Sequence, residues 1–173
     1  MAELSQTEIL RYARHLILPE VGLEGQRRLK DASVLLIGSG GLGSPIALYL
    51  AAAGIGRIGV VDYDVVEDSN LQRQVIHGTK QLGELKVESA RQRMLEINPY
   101  IQVEVYNEVF SSDNAMRISD GYDILVDGTD NFPHHLGRYK TRPAGRILQP
   151  GIYYHPFIAW RICCNIHGNQ RFS

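Results

Sequence analysis

Val34-Leu35-Leu36-Ile37-Gly38-Ser39-Gly40-Gly41-Leu42-Gly43-Ser44 is the stretch on which the reading of the chain turns. Its apolar, branched run reads as a buried strand, and the glycines at 38, 40 and 43 form a Gly-x-Gly-x-x-Gly turn behind it. Pro45 to Ala53 then predicts a helix, and Arg57-Ile58-Gly59-Val60-Val61-Asp62 a second strand ending in an acid. Strand, glycine turn, helix, strand, acid is the context in which such a turn binds a nucleotide. One glycine permits the tight turn, one lets backbone approach phosphate, and one lets the helix pack closely on the strand. The helix N-terminus offers unpaired N–H groups and a positive dipole end to an anion. Asp62 is placed to accept hydrogen bonds from ribose hydroxyls. On its own this unit leaves dinucleotide and ATP both open.

Working outward, the pattern alternates. Thr7 to His15 predicts an amphipathic helix with Ile9, Leu10, Ala13 and Leu16 on one face, and Gly22 to Leu29 predicts another. Val65 to Gly83 is a long polar connection containing Asn70-Leu71-Gln72-Arg73-Gln74, too long for a plain loop. Glu84 to Ile97 has helical spacing and stops before Asn98-Pro99, whereas Ile101 to Tyr106 alternates as a strand. Ser111 to Ser119 reads as a serine-capped helix and Tyr122 to Asp127 as a further strand opening into Gly128-Thr129-Asp130-Asn131. Right-handed crossovers between such units build a Rossmann-like, doubly wound parallel α/β sheet, here preceded by N-terminal helices.

A chain of 173 residues is long enough to bury one core, and 44% hydrophobic with 21% charged content is ordinary for a globular protein. A net charge of −1 gives no sign of nucleic-acid or membrane attraction. No apolar run approaches the ~20 residues of a membrane span. The two cysteines, adjacent at Cys163-Cys164, make neither a disulfide framework nor a zinc knuckle, and the N-terminus lacks a signal-peptide pattern. These readings set a cytoplasmic expectation.

Arg11-Tyr12-Ala13-Arg14-His15, the glycine turn, Asn70-Leu71-Gln72-Arg73-Gln74, Lys86 and Thr129-Asp130-Asn131 follow one another at spacings that closely resemble the MoeB/ThiF/HesA group. Members of this group are bacterial relatives of ubiquitin-activating enzymes. They use ATP to adenylate the C-terminal glycine of a ubiquitin-like sulfur carrier protein ending in Gly-Gly, in molybdopterin or thiazole (thiamine) sulfur transfer. The resemblance implies that Gly38, Gly40, Gly41 and Gly43 cradle ATP, with Asp62 on the ribose. It implies that Ser69, Asn70, Arg73, Lys86 and Asn131 line the nucleotide, and that Asp130 ligates Mg²⁺. Arg14, Arg73, Lys86 and Asp130 would be the catalytic set, Arg14 entering the site of the other subunit of a homodimer. Without these neighbours, the glycine turn fits an NAD(P) or FAD oxidoreductase, and Arg73 or Lys86 would be solvated charges. A non-catalytic nucleotide-binding remnant is the other alternative. Asp64 and Asp127 either support the pocket or cap strand ends. His77 fits none of these roles and is expected at the surface.

The resemblance covers residues 1–132. All nineteen acidic residues lie before residue 134, whereas residues 134–173 carry six basic residues, four of the six His and the only Trp. Residues 133–173 show no sustained period, predicting an irregular tail. The group's later helix, its Cys-x-x-Cys zinc pair and its cysteine-bearing region are not found there. Segments 139–144 and 155–161, read in a shifted frame, can encode family-like residues. The expectation is therefore a truncated adenylation domain, weak or inactive and lacking a stable dimer, followed by an out-of-frame or, alternatively, diverged tail. Resequencing the gene tests it.

Overall fold

In the structure, a computed structural model that describes residues 2–129 and 146–148, five parallel strands form a single sheet. They are β1 (Ser33–Ile37), β2 (Arg57–Val61), β3 (Gln102–Tyr106), β4 (Ile124–Asp127) and β5 (Arg146–Leu148), arranged β3-β2-β1-β4-β5. Every β1 residue is buried, as a strand covered on both faces requires, which is why it reads as a continuous apolar run rather than an alternation. The order reverses direction at β1, so a crevice opens beyond the carboxyl ends of β1 and β4.

Helices α4 (Gly43–Ala53) and α5 (Lys86–Ile97) cover one face, where Ala47, Leu50, Val87, Ala90 and Met94 pack with Val34, Leu36, Ile58 and Val60. On the other face the short helix α6 (Ala115–Ser119) brings Ile118 against Leu35, Val61 and Tyr122. Helix α6 is shorter than its sequence pattern predicts, and no side chain caps it. Asn114 instead accepts the Ser111 amide at 2.8 Å, closing a turn before the helix begins.

The amino-terminal segment departs further from expectation. Its predicted single helix is two, α1 (Gln6–Arg11) and α2 (Ala13–Leu16), followed by α3 (Gly22–Asp31). Leu10 is 78% exposed, and the buried anchor is Tyr12 at the break, whose hydroxyl accepts from Asn98 Nδ2 at 2.8 Å. Arg11 adds a 2.7 Å bond to the Ile97 carbonyl. A capping box between Ser5 and Glu8 starts α1, and Glu8, itself buried, pairs with Lys30 at 2.7 Å. Polar anchoring to the ends of α4 and α5 thus replaces the expected apolar stripe.

In the tail, Arg146–Leu148 is an ordered parallel strand registered Ile124 to Arg146 through Val126 to Leu148. The other tail residues, and with them the expected irregularity, lie outside the described residues. Among the described residues no helix is long and apolar enough to cross a membrane.

Candidate nucleotide site

At the carboxyl end of β1 the chain turns sharply at Gly38, whose φ of 85° is costly for any other residue. Gly43 begins α4 so close to that turn that a Cβ would overlap the Gly38 carbonyl, and backbone cannot yield as a flexible side chain could. Between them, Ser39 is fully buried and fixed from both sides. Its amide and hydroxyl both donate to Asp62 Oδ2 at 2.8 Å, and its carbonyl accepts Ser44 Oγ at 3.0 Å. The amides of Gly41 and Leu42 have no partner among the described residues, and the first turn of α4 contains no acid. The result is a pair of open N–H donors at a positive helix end, held by a fixed turn, the kind of donor an oligophosphate requires.

The long connection after β2 folds back to supply cations. Val65 bridges Leu85, Val66 donates to the Glu84 carbonyl at 2.9 Å, and Lys86 donates its amide to the Asp64 carbonyl at 2.9 Å. This clamp starts α5 at Lys86, whose side chain is only 7% exposed and whose amine meets Asp64 Oδ2 at 2.9 Å. Asp64 donates its amide to Asp62 Oδ1 at 3.1 Å, so Ser39, Asp62, Asp64 and Lys86 form one bonded chain. Arg73 is exposed, donates to the Ser69 carbonyl at 3.2 Å, and lays its aliphatic stem against Gly41. A buried lysine and an exposed arginine thus flank the same turn.

The predicted residues Gly38, Gly40, Gly41, Gly43, Asp62, Arg73 and Lys86 come together here, but several carry structural duties as well. Asp62 spends Oδ2 on the glycine turn and Oδ1 on Asp64, so it shapes the turn before any ligand arrives. Asn70 is buried, its Oδ1 accepting the Glu67 amide at 3.3 Å, and Ser69 is exposed beside it. Asp127 is buried and accepts the Thr129 amide and hydroxyl, fixing the turn after β4. Asp130 and Asn131 lie outside the described residues. Arg14 is exposed on α2, whose flanking Tyr12 lies against Gly54 at the far end of α4.

Two residues escaped the sequence reading. Gln74 is 4% exposed, approaches Gly40 with its amide nitrogen, and has a buried Oε1 without a partner among the described residues. Its signal was its place directly after Arg73. His77, expected at the surface, is 8% exposed and shares a 2.9 Å hydrogen bond between Nδ1 and Ser89 Oγ. Burial, then the nearby Lys86 cation, hold its imidazole below the ordinary histidine range, with Asp62 and the Ser39 backbone opposing. Its place in a connection without helix or strand period hid a position that the loop folds inward.

Known proteins resemble this architecture and these residues. The ThiF family profile matches residues 12–137. A probable adenylyltransferase/sulfurtransferase MoeZ of Mycobacterium tuberculosis is 55% identical over 129 residues, 75% of this chain and 33% of that protein. A sulfur carrier protein adenylyltransferase of Thermus thermophilus is 44% identical over 166 residues, 88% of this chain and 60% of that protein. Among solved structures, the E. coli tRNA N6-threonylcarbamoyladenosine dehydratase TcdA in complex with ATP matches with a TM-score of 0.71 and 30% identity. That match covers 75% of this chain and 53% of that one. The chain thus spans a third of the first relative and 60% of the second.

Proposed function

The chain belongs to the ThiF family, and from that premise we propose that it binds ATP with Mg²⁺ and adenylates the C-terminal glycine of a ubiquitin-like sulfur carrier protein. The observation that carries this reading is the attachment of two cations, Arg73 and Lys86, to a glycine turn whose helix end is left uncapped. Phosphate charge needs both. One relative is named as a probable adenylyltransferase/sulfurtransferase and another as a sulfur carrier protein adenylyltransferase, and the matching ATP complex has the same fold; neither favours a nicotinamide or flavin oxidoreductase.

In this reading the Gly38–Gly43 turn and the first α4 amides hold the phosphates, and Asp62 supports the ribose while locking Ser39. Bound ATP supplies the α-phosphate that the carrier carboxylate attacks, a bond from carboxylate oxygen to phosphorus forming as pyrophosphate leaves, so no protein nucleophile is required. Lys86 and Arg73 supply fixed positive charge where negative charge accumulates, without reorganisation at the moment of reaction. Lys86 is held ready by Asp64, an exposed carboxylate that can release it to a stronger anion. Asp130 is the proposed Mg²⁺ ligand, a hard carboxylate suited to an ion shared with phosphates. Ser69, Asn70, Gln74 and Asn131 complete the lining, and a two-fold dimer places Arg14 toward the neighbouring subunit's site. The setting is a reducing cytoplasm, and the pathway is molybdopterin or thiazole sulfur transfer.

Calorimetry with ATP·Mg²⁺ and with NAD tests ligand choice. ATP·Mg²⁺ is expected to bind in preference, and preference for NAD refutes the reading. Carrier-dependent exchange between ATP and pyrophosphate, with a small ubiquitin-like protein ending in Gly-Gly, tests the chemistry.

A further inference from the structure

We propose that Asp64 is a positioning residue for Lys86: it keeps the ammonium aimed at the phosphate turn during adenylyl transfer, raising turnover while opposing nucleotide binding. The proposal rests on the ATP reading for its functional consequence, whereas the ion pair itself is a property of the fold.

A lysine is not by nature a fixed charge. Its long stem turns about several bonds, and an ammonium is seldom buried unless it is paired. Here the Lys86 side chain is only 7% exposed, and Asp64 is the one acid that pairs with it among the described residues. Asp64 is itself gripped at three points. Its amide donates to Asp62 Oδ1 at 3.1 Å, its carbonyl accepts the Lys86 amide at 2.9 Å, and its Oδ2 accepts the Lys86 amine at 2.9 Å. Asp62 Oδ2 in turn holds the amide and hydroxyl of Ser39 at 2.8 Å. The ammonium is thereby registered to the glycine turn through two short acidic residues.

That arrangement acts on a bound nucleotide in two opposite ways. Release of Lys86 to a phosphate need not be complete, because an ammonium has three N–H donors and Asp64 takes one. The other two remain for phosphate oxygens, and the bond that is kept aims them. Aim matters most where charge develops, since a donor fixed beforehand needs no reorganisation in the transition state. The carboxylate charge works against binding. Asp64 is 48% exposed and one hydrogen bond from the ammonium, so it repels a triphosphate equally before and during the reaction. A residue that merely held the fold would support binding and turnover together. Asp64 separates them.

The test compares wild type with Asp64→Ala and Asp64→Asn, with thermal midpoints measured alongside. Both main-chain bonds of residue 64 survive either substitution. The readouts are the Kd for ATP·Mg²⁺ and the maximal rate of carrier-dependent exchange at saturating ATP. Asp64→Ala is expected to lower that rate about tenfold to a hundredfold, the range for one hydrogen bond to a charged group. Its Kd should stay unchanged or tighten by up to about fivefold, the scale of a water-screened charge pair. Asp64→Asn, whose Oδ1 still accepts from the ammonium without carrying charge, should restore most of the rate and bind no more weakly than wild type. An unchanged rate in Asp64→Ala, a Kd that weakens in step with the rate, or Asn no better than Ala overturns the proposal. Proton–¹⁵N NMR of the lysine ammonium groups reads the tie with no nucleotide present. A slowly exchanging signal, assigned by its absence from Lys86→Met, is expected in wild type and Asp64→Asn and should vanish in Asp64→Ala; its absence from wild type refutes the tie. Failure of the wild-type chain to bind ATP or support exchange counts against the proposed function instead, and the ammonium signal then decides whether Asp64 fixes Lys86.

Discussion

Lys86 illustrates how one side chain serves fold and site together. Its stem is buried under the clamp between Val65 and Leu85, while its amine finds a half-exposed partner in Asp64. Replacing it by Met keeps the buried volume and leaves Asp64 free to hydrate, so the stability cost should stay within about 1 kcal/mol. Loss of the fixed cation should lower carrier-dependent exchange by roughly 10²–10³-fold, the effect of removing one preorganised charge-stabilising donor. Comparable unfolding midpoints with lost exchange would meet this expectation; a global loss of fold would not. His77 adds a pH signature. Its folded pKa is depressed below the ordinary 6.5, so its contribution to stability is present above that pH and is lost as pH falls below it. Urea midpoints compared between pH 8 and pH 5 should decline less in His77→Gln than in wild type.

At the scale of elements, the strands and helices around the nucleotide site were legible because each follows a local rule. Buried β1 is a continuous apolar run, Gly38 requires a positive φ, and Asn98-Pro99 stops α5. What escaped the reading depends on distant partners. Tyr12 divides the first helix because Asn98, remote in sequence, donates to its hydroxyl in the core; His77 is buried because Ser89, twelve residues on, meets it there. Neither partnership has a period. The same is true of the network joining β2, β3 and the start of β4. Arg57 holds Glu104 at 2.8 Å and lies 4.2 Å over the Tyr122 ring, while Tyr106 and Tyr122 donate to the same carboxylate. Arg57 first, and the two phenols after it, hold Glu104 down to about 2. The depressed carboxyl stabilises the fold above its unfolded pKa near 4.5, and that contribution disappears as pH falls toward 2. Glu104→Gln should therefore flatten acid unfolding over that window, followed by far-ultraviolet circular dichroism. Because Glu104 is partly exposed, screening by water keeps the effect modest. Gly43→Ala tests the close approach at the site: its Cβ forces the α4 start away from Gly38, costing about 1–3 kcal/mol and weakening ATP·Mg²⁺ binding.

For the whole molecule, the decisive question is which site Arg14 serves. It stands on α2, next to a Tyr12 seated on Gly54 and Asn98, whereas the glycine turn lies at the opposite end of α4. Eleven helical residues separate those ends by about 16 Å, so the Arg14 side chain starts well away from its own phosphate turn. Arg14 is also exposed and free of partners among the described residues, as a side chain intended for another subunit should be. Mixing mutants separates action within a subunit from action across a dimer. In a full-length relative carrying both residues, Arg14→Ala and Lys86→Met should each abolish most exchange while leaving the fold intact. Co-incubated under conditions of subunit exchange, they should form heterodimers in which one site retains its own Lys86 and receives Arg14 from the partner. A random one-to-one mixture then regains about a quarter of wild-type activity, because half of the symmetric dimers are mixed and each has one complete site. If Arg14 acts within its own subunit, no site in any heterodimer is complete and no activity returns. That outcome, with subunit exchange verified by mass spectrometry, would confine Arg14 to the helix surface and remove the link between pairing and catalysis.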